Sequence, residues 1–254
     1  MLGFKGIHNF RDYGGYPAAG GGRVRSGLLF RSGQHHDATD ADLARLEELG
    51  IQHVFDLRTD RERAFYPCRR PDGFAGQVHF VSDASAVRAP HVDAVRHRDA
   101  ASTRAAMHRS YVNLPYRQPL GQAIRAMFAV LAAGEAGPSV VNCMAGKDRT
   151  GIAVMAVQHA LGVHRDDIVH DYLLTNTAGN VEARIAAGYK TVRTLVGDLD
   201  DEARRVMMGV EPAYLEIAFA AIAERSGSLD GWVEQEFGVD ARMRAALRER
   251  FVEP

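Results

Sequence analysis

The sequence predicts one α/β domain in which a central, mostly parallel sheet is flanked by helices. Two observations support this prediction. Short apolar runs typical of buried strands alternate along the chain with longer stretches of helical periodicity. Glycine and proline signals separate these segments, and there is no internal repeat or low-complexity tract. With 254 residues, 46% hydrophobic and 25% charged, the chain can bury a large core, so we expect a single domain over residues 1–254.

The composition excludes several functional classes. A net charge of −1 gives no overall field that favours nucleic acid, and no apolar run approaches the roughly 18 residues of a membrane helix. No basic stretch followed by an apolar segment starts the chain. Two cysteines, Cys68 and Cys143, do not form a disulfide framework, which favours a reducing compartment. We expect a cytoplasmic protein without integral membrane association; secretion without a signal peptide stays open.

The first 33 residues predict a loop, a glycine-rich turn at 20–22 and a strand over 24–32. Two arginines, Arg11 and Arg31, are interpreted either as surface charges or as residues near a functional site. Asp12 is a candidate for orienting an arginine of that site. Cys68 is interpreted as structural or incidental.

The next segments alternate between helix and strand. A helix is predicted over 37–49, capped by Asp37 or Thr39 and ended by Gly50. A buried strand over 51–57 ends in charged residues. These residues either face a ligand crevice or form an ion pair at the rim of the sheet. Another strand, over 77–82, ends at Asp83. Further helices are predicted over 119–132, over 181–208 as one or two helices, and from 211 to the C-terminus.

Residues 84–110 differ in composition from their surroundings. They are rich in alanine, arginine and histidine and show weak apolar periodicity, which indicates an excursion over the surface. The functional interpretation is a helical flap or lid insertion that covers a site. The alternative is a solvated insertion without function.

The most informative stretch is the Cys143–Arg149 loop. A short buried strand is predicted over 138–141, and a helix over 152–161 that stops at Gly162. A loop between a strand and a helix directs backbone N–H groups into one concavity above the positive end of the helix dipole. Gly146 lets such a loop curl, and Arg149 offers a planar fork of donors to an oxyanion.

Cys143 begins this loop. A lone cysteine at a strand end is most often a small buried hydrophobic residue. In this loop, however, the helix terminus and Arg149 favour the thiolate, which is a nucleophile placed beneath a bound phosphate. A Walker A loop is excluded because Lys147 is followed by Asp148 rather than by serine or threonine.

The run Cys-Met-Ala-Gly-Lys-Asp-Arg-Thr-Gly over 143–151 resembles the signature loop of cysteine-dependent protein tyrosine phosphatases. It is most similar to the bacterial tyrosine/serine phosphatases that also act on phosphoinositides. Residues 9–15, 28–33 and 56–58 resemble further motifs of the same family, so the resemblance spans nearly the whole chain. One departure is Asn142, which stands where the family usually has a histidine that orders the loop.

The resemblance implies a protein tyrosine phosphatase-like fold and a phosphocysteine mechanism. It assigns the nucleophile to Cys143 and phosphate binding to Arg149. We expect the phosphate to be surrounded by the loop residues Met144, Ala145, Gly146, Lys147 and Thr150, and more remotely by Arg11 and Asp12. The resemblance favours Asp148 as the general acid, and Asp83, brought in by the flap, is the alternative. Lys147 is expected at the mouth of the site, where it would suit a second phosphate, and Thr150 is expected to donate to the cysteine sulfur.

The expected substrates are phosphoproteins or phosphoinositides, and the expected loop ligand is phosphate or another oxyanion. No histidine or cysteine set has metal-ligand spacing, so neither a metal nor a cofactor is expected. Two alternatives remain. Asn142 would fit a phosphate-binding pseudophosphatase with weak or no catalysis. A sulfur transferase or arsenate reductase with a similar cysteine loop is disfavoured by the loop Asp and Lys and by the lack of a second cysteine nearby.

Overall fold

A computed structural model describes residues 3–82, 99–133, 137–196 and 198–254, except the side chains of 191, 192 and 194–196. These residues form seven short strands and eleven α-helices. The strands are β1 (Arg11–Asp12), β2 (Arg23–Val24), β3 (Leu29–Ser32), β4 (His53–Asp56), β5 (Gln77–His79), β6 (Ser139–Asn142) and β7 (Val252–Glu253). The helices are α1 (Asp40–Glu48), α2 (Asp60–Phe65), α3 (Ala100–Asn113), α4 (Gln118–Ala132), α5 (Asp148–Leu161), α6 (Arg165–Leu173), α7 (Val181–Val196), α8 (Asp201–Met208), α9 (Pro212–Ser226), α10 (Leu229–Phe237) and α11 (Ala241–Phe251).

The main sheet has the strand order β1-β3-β6-β4-β5. The pairs β3–β6, β6–β4 and β4–β5 are parallel, and β1 runs antiparallel to β3 at one edge. This confirms the predicted mostly parallel sheet flanked by helices. The centre of the sheet is β6, whose four residues are all buried, as expected for a strand with neighbours on both sides and helices on both faces.

The two faces of the sheet are covered unequally. Val141 and Phe55 point into the large apolar core around α5, whereas Val140 and Val54 point into a smaller core that includes Leu46 of α1. This alternation follows from the two-residue period of a strand. Helix α5 is buried on almost its whole circumference, which requires an apolar sequence on every side.

The carboxyl ends of the three central strands lie side by side. In the register of the sheet, Asn142 is paired with Ser32 on one side and with Asp56 on the other. The loop that follows Asn142 therefore leaves the sheet at its middle, where the connections of parallel strands leave a crevice. Helix α5 begins at Asp148, four residues earlier than the sequence predicts, and ends as predicted at Gly162, which has a left-handed backbone.

Two sequence predictions need correction. The single strand predicted over 24–32 is two strands in different sheets, because β2 pairs with the C-terminal β7 and the chain turns at Gly27, with φ +82°, before β3. Within the predicted flap, 84–110, residues 100–110 form part of α3, which packs against α8 and α9 and buries Met107. That part belongs to the packed body rather than to the surface.

Residues 84–98 of the predicted flap and Asp83 lie outside the described residues. The predicted helix over 37–49 is confirmed as α1, and Thr39 rather than Asp37 is its N-cap. In the described part of the chain, no single helix has the length and apolar composition to cross a membrane. Helices α8 and α9, which are bent by 45° relative to each other, have the required length and apolar composition only when the two are taken together.

Candidate active site

The Cys143–Lys147 loop connects β6 to α5 and is curled tightly at Gly146. That glycine has φ +66°, and a Cβ there would lie 2.4 Å from the carbonyl carbon of Ser32. Both the left-handed backbone and the close approach exclude a side chain, as predicted from the sequence. The first turn of α5 carries no side-chain cap from the described residues, so its N–H groups remain directed at the loop.

The carbonyl groups of the loop are held from outside. Gly146 O accepts hydrogen bonds from Asn9 Nδ2 at 2.7 Å and from Arg31 Nη2 at 3.1 Å. Met144 O accepts from the backbone N–H of Gln34 at 3.0 Å. Because the C=O and N–H of one peptide unit point in opposite directions, these bonds leave the N–H groups of Ala145 and Lys147 on the opposite, concave side. The loop thus has the polarity of an anion-binding nest.

A buried ionic cluster supports this arrangement. We call Asn9, Arg11, Arg31 and Asp171 the underside cluster. Asp171 accepts from Arg11 Nε at 3.2 Å through Oδ1 and from Arg31 Nη1 at 2.5 Å through Oδ2. Arg11 also donates to the carbonyl oxygen of Asp171 at 2.8 Å and to the side chain of Asn9. Burial and the neighbouring Arg31 lower the pKa of Arg11 to about 10.

The structure therefore does not bring Arg11 or Asp12 to the phosphate position predicted from the sequence. Arg11 uses Nε, Nη1 and Nη2 on protein acceptors within the underside cluster and Thr175. Asp12 accepts from the backbone N–H groups of Gly14 at 2.7 Å and Gly27 at 2.5 Å, so it stabilises two turns of the N-terminal segment. Both residues shape the surroundings of the loop.

Arg149, in the first turn of α5, is fixed by Glu62 of α2. The two carboxylate oxygens of Glu62 accept from Arg149 Nη1 at 2.6 Å and Nη2 at 2.8 Å, and Leu57 O accepts from Nη1 at 3.1 Å. Burial would lower the pKa of Arg149, but the charge and hydrogen bonds of Glu62 outweigh it and raise the pKa.

The contacts of Arg149 leave part of its guanidinium available. Of its five N–H donors, three are used by Glu62 and Leu57. The Nε–H and the second N–H of Nη2 donate to no partner among the described residues. These two donors lie side by side on one edge of the guanidinium, which is the geometry that binds two oxygens of one phosphate.

Sequence reasoning missed Glu62. Its signal was a capping box directly after β4: Thr59 Oγ1 accepts from Glu62 N at 3.2 Å, and Glu62 Oε2 accepts from Thr59 N at 2.9 Å. One carboxylate therefore both starts α2 and holds Arg149.

Asp148 lies beside Arg149 in the same turn and is 7% exposed. Its Oδ1 accepts from the hydroxyl of Tyr111 at 2.6 Å and lies 3.5 Å from Lys147 Nζ. Its Oδ2 accepts no hydrogen bond from the part of the chain that the structure describes. The Tyr111 contact was also missed, because no local pattern connects helix α3 with this loop.

Lys147 is not at the mouth of the site, where the sequence predicts it. Its ammonium is 2% exposed and donates to the carbonyl oxygen of Met207, at the end of α8, at 2.5 Å. Burial lowers the pKa of Lys147. The Lys147 ammonium therefore connects the loop to the C-terminal end of α8. Cations are favoured at that end because the helix dipole is negative there.

Asn142 and Thr150 flank the loop at its two ends. Asn142 Nδ2 donates to Asp56 Oδ1 at 3.2 Å, and Asp56 is in turn bound by Arg58 at 2.6 Å. The rim ion pair left open by the sequence is therefore present. Cys143 is 3% exposed and begins the loop between them. The Thr150 hydroxyl is fully buried and, within the described residues, makes no hydrogen bond, including the predicted one to the cysteine sulfur.

The comparison with known families decides the identity. The family described as the tyrosine phosphatase family matches residues 2–253, which is nearly the whole chain. The chain belongs to the tyrosine phosphatase family. The family resemblance read from the loop is thereby confirmed, and this tyrosine phosphatase family member is a protein phosphatase, a hydrolase of phosphate monoesters.

Several relatives support this assignment. A Cupriavidus necator protein named "putative tyrosine-protein phosphatase" is 33% identical over 99% of this chain and 88% of its own length. The Mycobacterium tuberculosis "triple specificity protein phosphatase PtpB" is 33% identical over 95% of this chain and 97% of its own length. A Nostoc commune tyrosine-protein phosphatase is 29% identical over 63% of this chain and 52% of its own length.

Proposed function

We propose that this tyrosine phosphatase family member cleaves phosphate monoesters with Cys143 as nucleophile, Arg149 as phosphate-binding residue and Asp148 as general acid. One observation supports this assignment above the others. The three residues belong to one glycine-curled loop and the first turn of α5, where the concave side presents N–H groups. That arrangement binds a tetrahedral dianion directly above a thiol.

In the first step, the Cys143 thiolate attacks phosphorus in line with the ester oxygen. The S–P bond forms as the P–O bond to the leaving group breaks. Asp148 transfers its proton to the departing oxygen, which leaves as the free hydroxyl compound. The free edge of the Arg149 guanidinium and the loop N–H groups stabilise the charge on the three equatorial oxygens.

In the second step, water attacks the phosphocysteine. Asp148, now a carboxylate, accepts a proton from that water as the new P–O bond forms. The S–P bond breaks, the Cys143 thiolate is restored, and inorganic phosphate leaves. The same carboxylate thus acts as acid and then as base, and the enzyme returns to its starting protonation state.

Asp148 is favoured over Asp83 as the acid. It is part of the loop, and its Oδ2 is free of hydrogen bonds from the described residues, as a proton donor requires. Asp83 lies outside those residues, so the structure gives no geometric support for it.

We propose a broad substrate range that includes phosphotyrosine, phosphoserine and phosphothreonine in proteins, and phosphoinositides. Support comes from the relative named as a triple specificity protein phosphatase, which matches this chain over nearly its full length. The buried position of Lys147 argues that any preference for a second phosphate does not come from this side chain in its present contacts.

The test is phosphate release from para-nitrophenyl phosphate, phosphotyrosine and phosphoserine peptides, and a phosphoinositide panel. We expect the wild type to turn over and Cys143→Ser to lose at least about 10⁴-fold in kcat while still binding phosphate, since the nucleophile is gone and the loop remains. Asp148→Asn should lose activity mainly on poor leaving groups. Phosphate binding by a wild type that turns over no substrate would instead support the binding-module alternative.

We also propose the cytoplasm as the working compartment. Both cysteines are free, and the mechanism needs Cys143 as a thiolate, which reducing conditions preserve. Separation of cell fractions followed by activity measurement would test this.

A further inference from the structure

Two buried tyrosines from different helices meet at the candidate acid. Tyr111 of α3 and Tyr172 of α6 are at most 1% exposed. The Tyr111 hydroxyl lies 2.6 Å from Asp148 Oδ1, and the hydroxyls of the two tyrosines lie 2.6 Å apart. The Tyr111 ring stacks on that of Tyr214 at 5.1 Å, which restricts its movement. Tyr111 thus holds one carboxylate oxygen of Asp148, and two other helices support Tyr111 through Tyr172 and Tyr214.

The direction of these hydrogen bonds follows from a count of protons. A tyrosine hydroxyl has a single hydrogen. Since Tyr111 donates its hydrogen to Asp148 Oδ1, Tyr172 has to donate to the Tyr111 oxygen. Both bonds therefore point toward Asp148, and each polarises the next.

The two tyrosines remain donors across the working pH range. Burial, and then the charge of Asp148, raise the pKa of Tyr111 well above its ordinary value. The same two causes raise the pKa of Tyr172. Neither hydroxyl loses its proton under conditions in which the enzyme would act.

The chain makes the two oxygens of Asp148 unequal. Oδ1 receives the Tyr111 hydrogen bond and lies 3.5 Å from the Lys147 ammonium, so a proton on Oδ1 would face two donors. Oδ2 has no such neighbour within the described residues. The exchangeable proton of Asp148 therefore belongs on Oδ2. A rotation of the carboxyl group that exchanged its two oxygens would break the charge-assisted hydrogen bond from Tyr111.

We infer that Tyr111, supported by Tyr172, is the positioning residue for the general acid: it holds Asp148 Oδ1 so that Oδ2 alone carries the proton to the leaving oxygen. This inference rests on the proposed role of Asp148. In this role Tyr111 acts through Asp148 rather than on the substrate itself. Its contribution should appear only where the leaving group needs a proton in the transition state.

The experiment measures kcat/KM, which reports the steps up to the phosphocysteine, for a series of aryl phosphates from para-nitrophenyl phosphate to phenyl phosphate. In Tyr111→Phe we expect a loss of about 10- to 30-fold on phenyl phosphate and less than about twofold on para-nitrophenyl phosphate, the size expected for one hydrogen bond to a charged group. Tyr172→Phe should give the same pattern with a loss of about three- to fivefold.

Tyr214→Phe is the matched control. It removes a hydroxyl from the ring that stacks on Tyr111, and among the described residues that hydroxyl donates to Val206 O, at 3.4 Å, rather than to Asp148. We expect its kcat/KM to stay within about twofold of wild type for every substrate. The thermal midpoint of each variant is recorded alongside.

The outcomes separate the inference from the function on which it rests. If Asp148→Asn shows no dependence on the leaving group, the proposed acid is wrong. If Asp148→Asn shows that dependence but Tyr111→Phe lowers kcat/KM equally for all substrates, or for none of them, only the positioning role is overturned. Tyr111→Phe made in the Asp148→Asn background should have no further leaving-group effect; an undiminished effect there would also overturn the inference.

Discussion

The underside cluster and the residues on the concave side of the loop use similar side chains in different ways. In the underside cluster, both oxygens of Asp171 are bound by arginines. On the concave side, Asp148 keeps Oδ2 free of the described residues, and Arg149 keeps two adjacent donors. Burial does not separate the two regions, because Arg11 and Arg149 are both 8% exposed. The difference lies in polar groups that the protein leaves available.

This difference distinguishes charged residues that support such a loop from charged residues that can bind a ligand. Groups whose hydrogen-bonding capacity is filled by the protein shape and support the loop. Groups with donors or oxygens left over can act on a ligand. The comparison leads to four predictions: three concern residues of these two regions, and one concerns a buried histidine, His35, outside them.

The largest effect is expected from Asp171→Asn, which leaves Arg11 and Arg31 buried without a countercharge. Breaking a buried pair by removing one partner costs about 3–5 kcal/mol, so the free energy of unfolding should fall by that amount in urea titration. Activity should fall together with stability. The control is Asp230→Asn, because Asp230 forms a surface ion pair with Arg244 and a hydrogen bond with His159 and is 71% exposed; it should change stability by less than about 1 kcal/mol.

Glu62→Gln should lower activity, and it should also lower the free energy of unfolding, because the buried Arg149 loses its countercharge. Glutamine can still cap α2, but it removes the charge that holds Arg149. Loss of a charge-assisted hydrogen bond worth about 1.5–3 kcal/mol predicts a fall in kcat/KM of about 10- to 100-fold, equal for good and poor leaving groups, with weaker inhibition by inorganic phosphate. A loss confined to poor leaving groups would contradict this role. The exposed Glu224→Gln is the control.

The third prediction concerns His35, a buried histidine that stays neutral in the folded protein. Arg70 donates to its Nδ1 at 3.1 Å, so Nε2 carries the proton and donates to Ser32 Oγ at 2.9 Å. Burial, and then Arg70 and Arg58, lower the pKa of His35 well below 6.5. Below pH 6.5 the unfolded chain therefore binds a proton that the folded state does not.

The free energy of unfolding should consequently fall as the pH drops below about 6.5, by up to about 1.4 kcal/mol per pH unit from this residue, and level off above it. Urea midpoints between pH 5 and 8 measure this. His35→Gln should flatten the profile relative to wild type, whereas the exposed His164→Gln should leave the slope unchanged. An unaltered slope in His35→Gln would contradict the assignment.

The smallest effect is expected from Thr150→Val. The Thr150 hydroxyl is buried and unpaired within the described residues, so replacing it with a methyl group of similar size should leave stability unchanged or raise it by about 1 kcal/mol. If the hydroxyl does not assist the sulfur, the rate of phosphocysteine hydrolysis in single-turnover experiments should stay within about twofold. A large slowing of that step would restore the role predicted from the sequence.

Much of the fold and the centre of the site could be predicted because their signals are local. Strand β6, the loop and α5 are contiguous, so the order of residues already places Cys143, Gly146 and Arg149 together. Gly146 is predicted to curl the loop because it lacks a side chain, and the structure confirms that a side chain would not fit there. The strand break at Gly27 was missed because the pairing of β2 with β7 joins the two ends of the chain.

The residues that support the site could not be predicted in the same way. Tyr111 is 37 residues from Asp148 and 61 from Tyr172, so no periodicity connects them. Arg11 was assigned to phosphate because a charge in a motif does not reveal whether its donors are already used. Glu62 had a local signal, but that signal indicated a helix cap rather than a contact with Arg149.

The sequence by itself therefore determined the parallel sheet, the family and the loop chemistry, because local periodicity and contiguous motifs encode them. Only the tertiary structure decided which charges are neutralised and which remain available. The pairing of Asp171 with two arginines, the burial of Lys147 and the tyrosine contacts of Asp148 depend on how distant helices pack around α5. The physical reason is that burial and hydrogen-bond partners, which set the chemistry of a charged group, are properties of its surroundings in three dimensions.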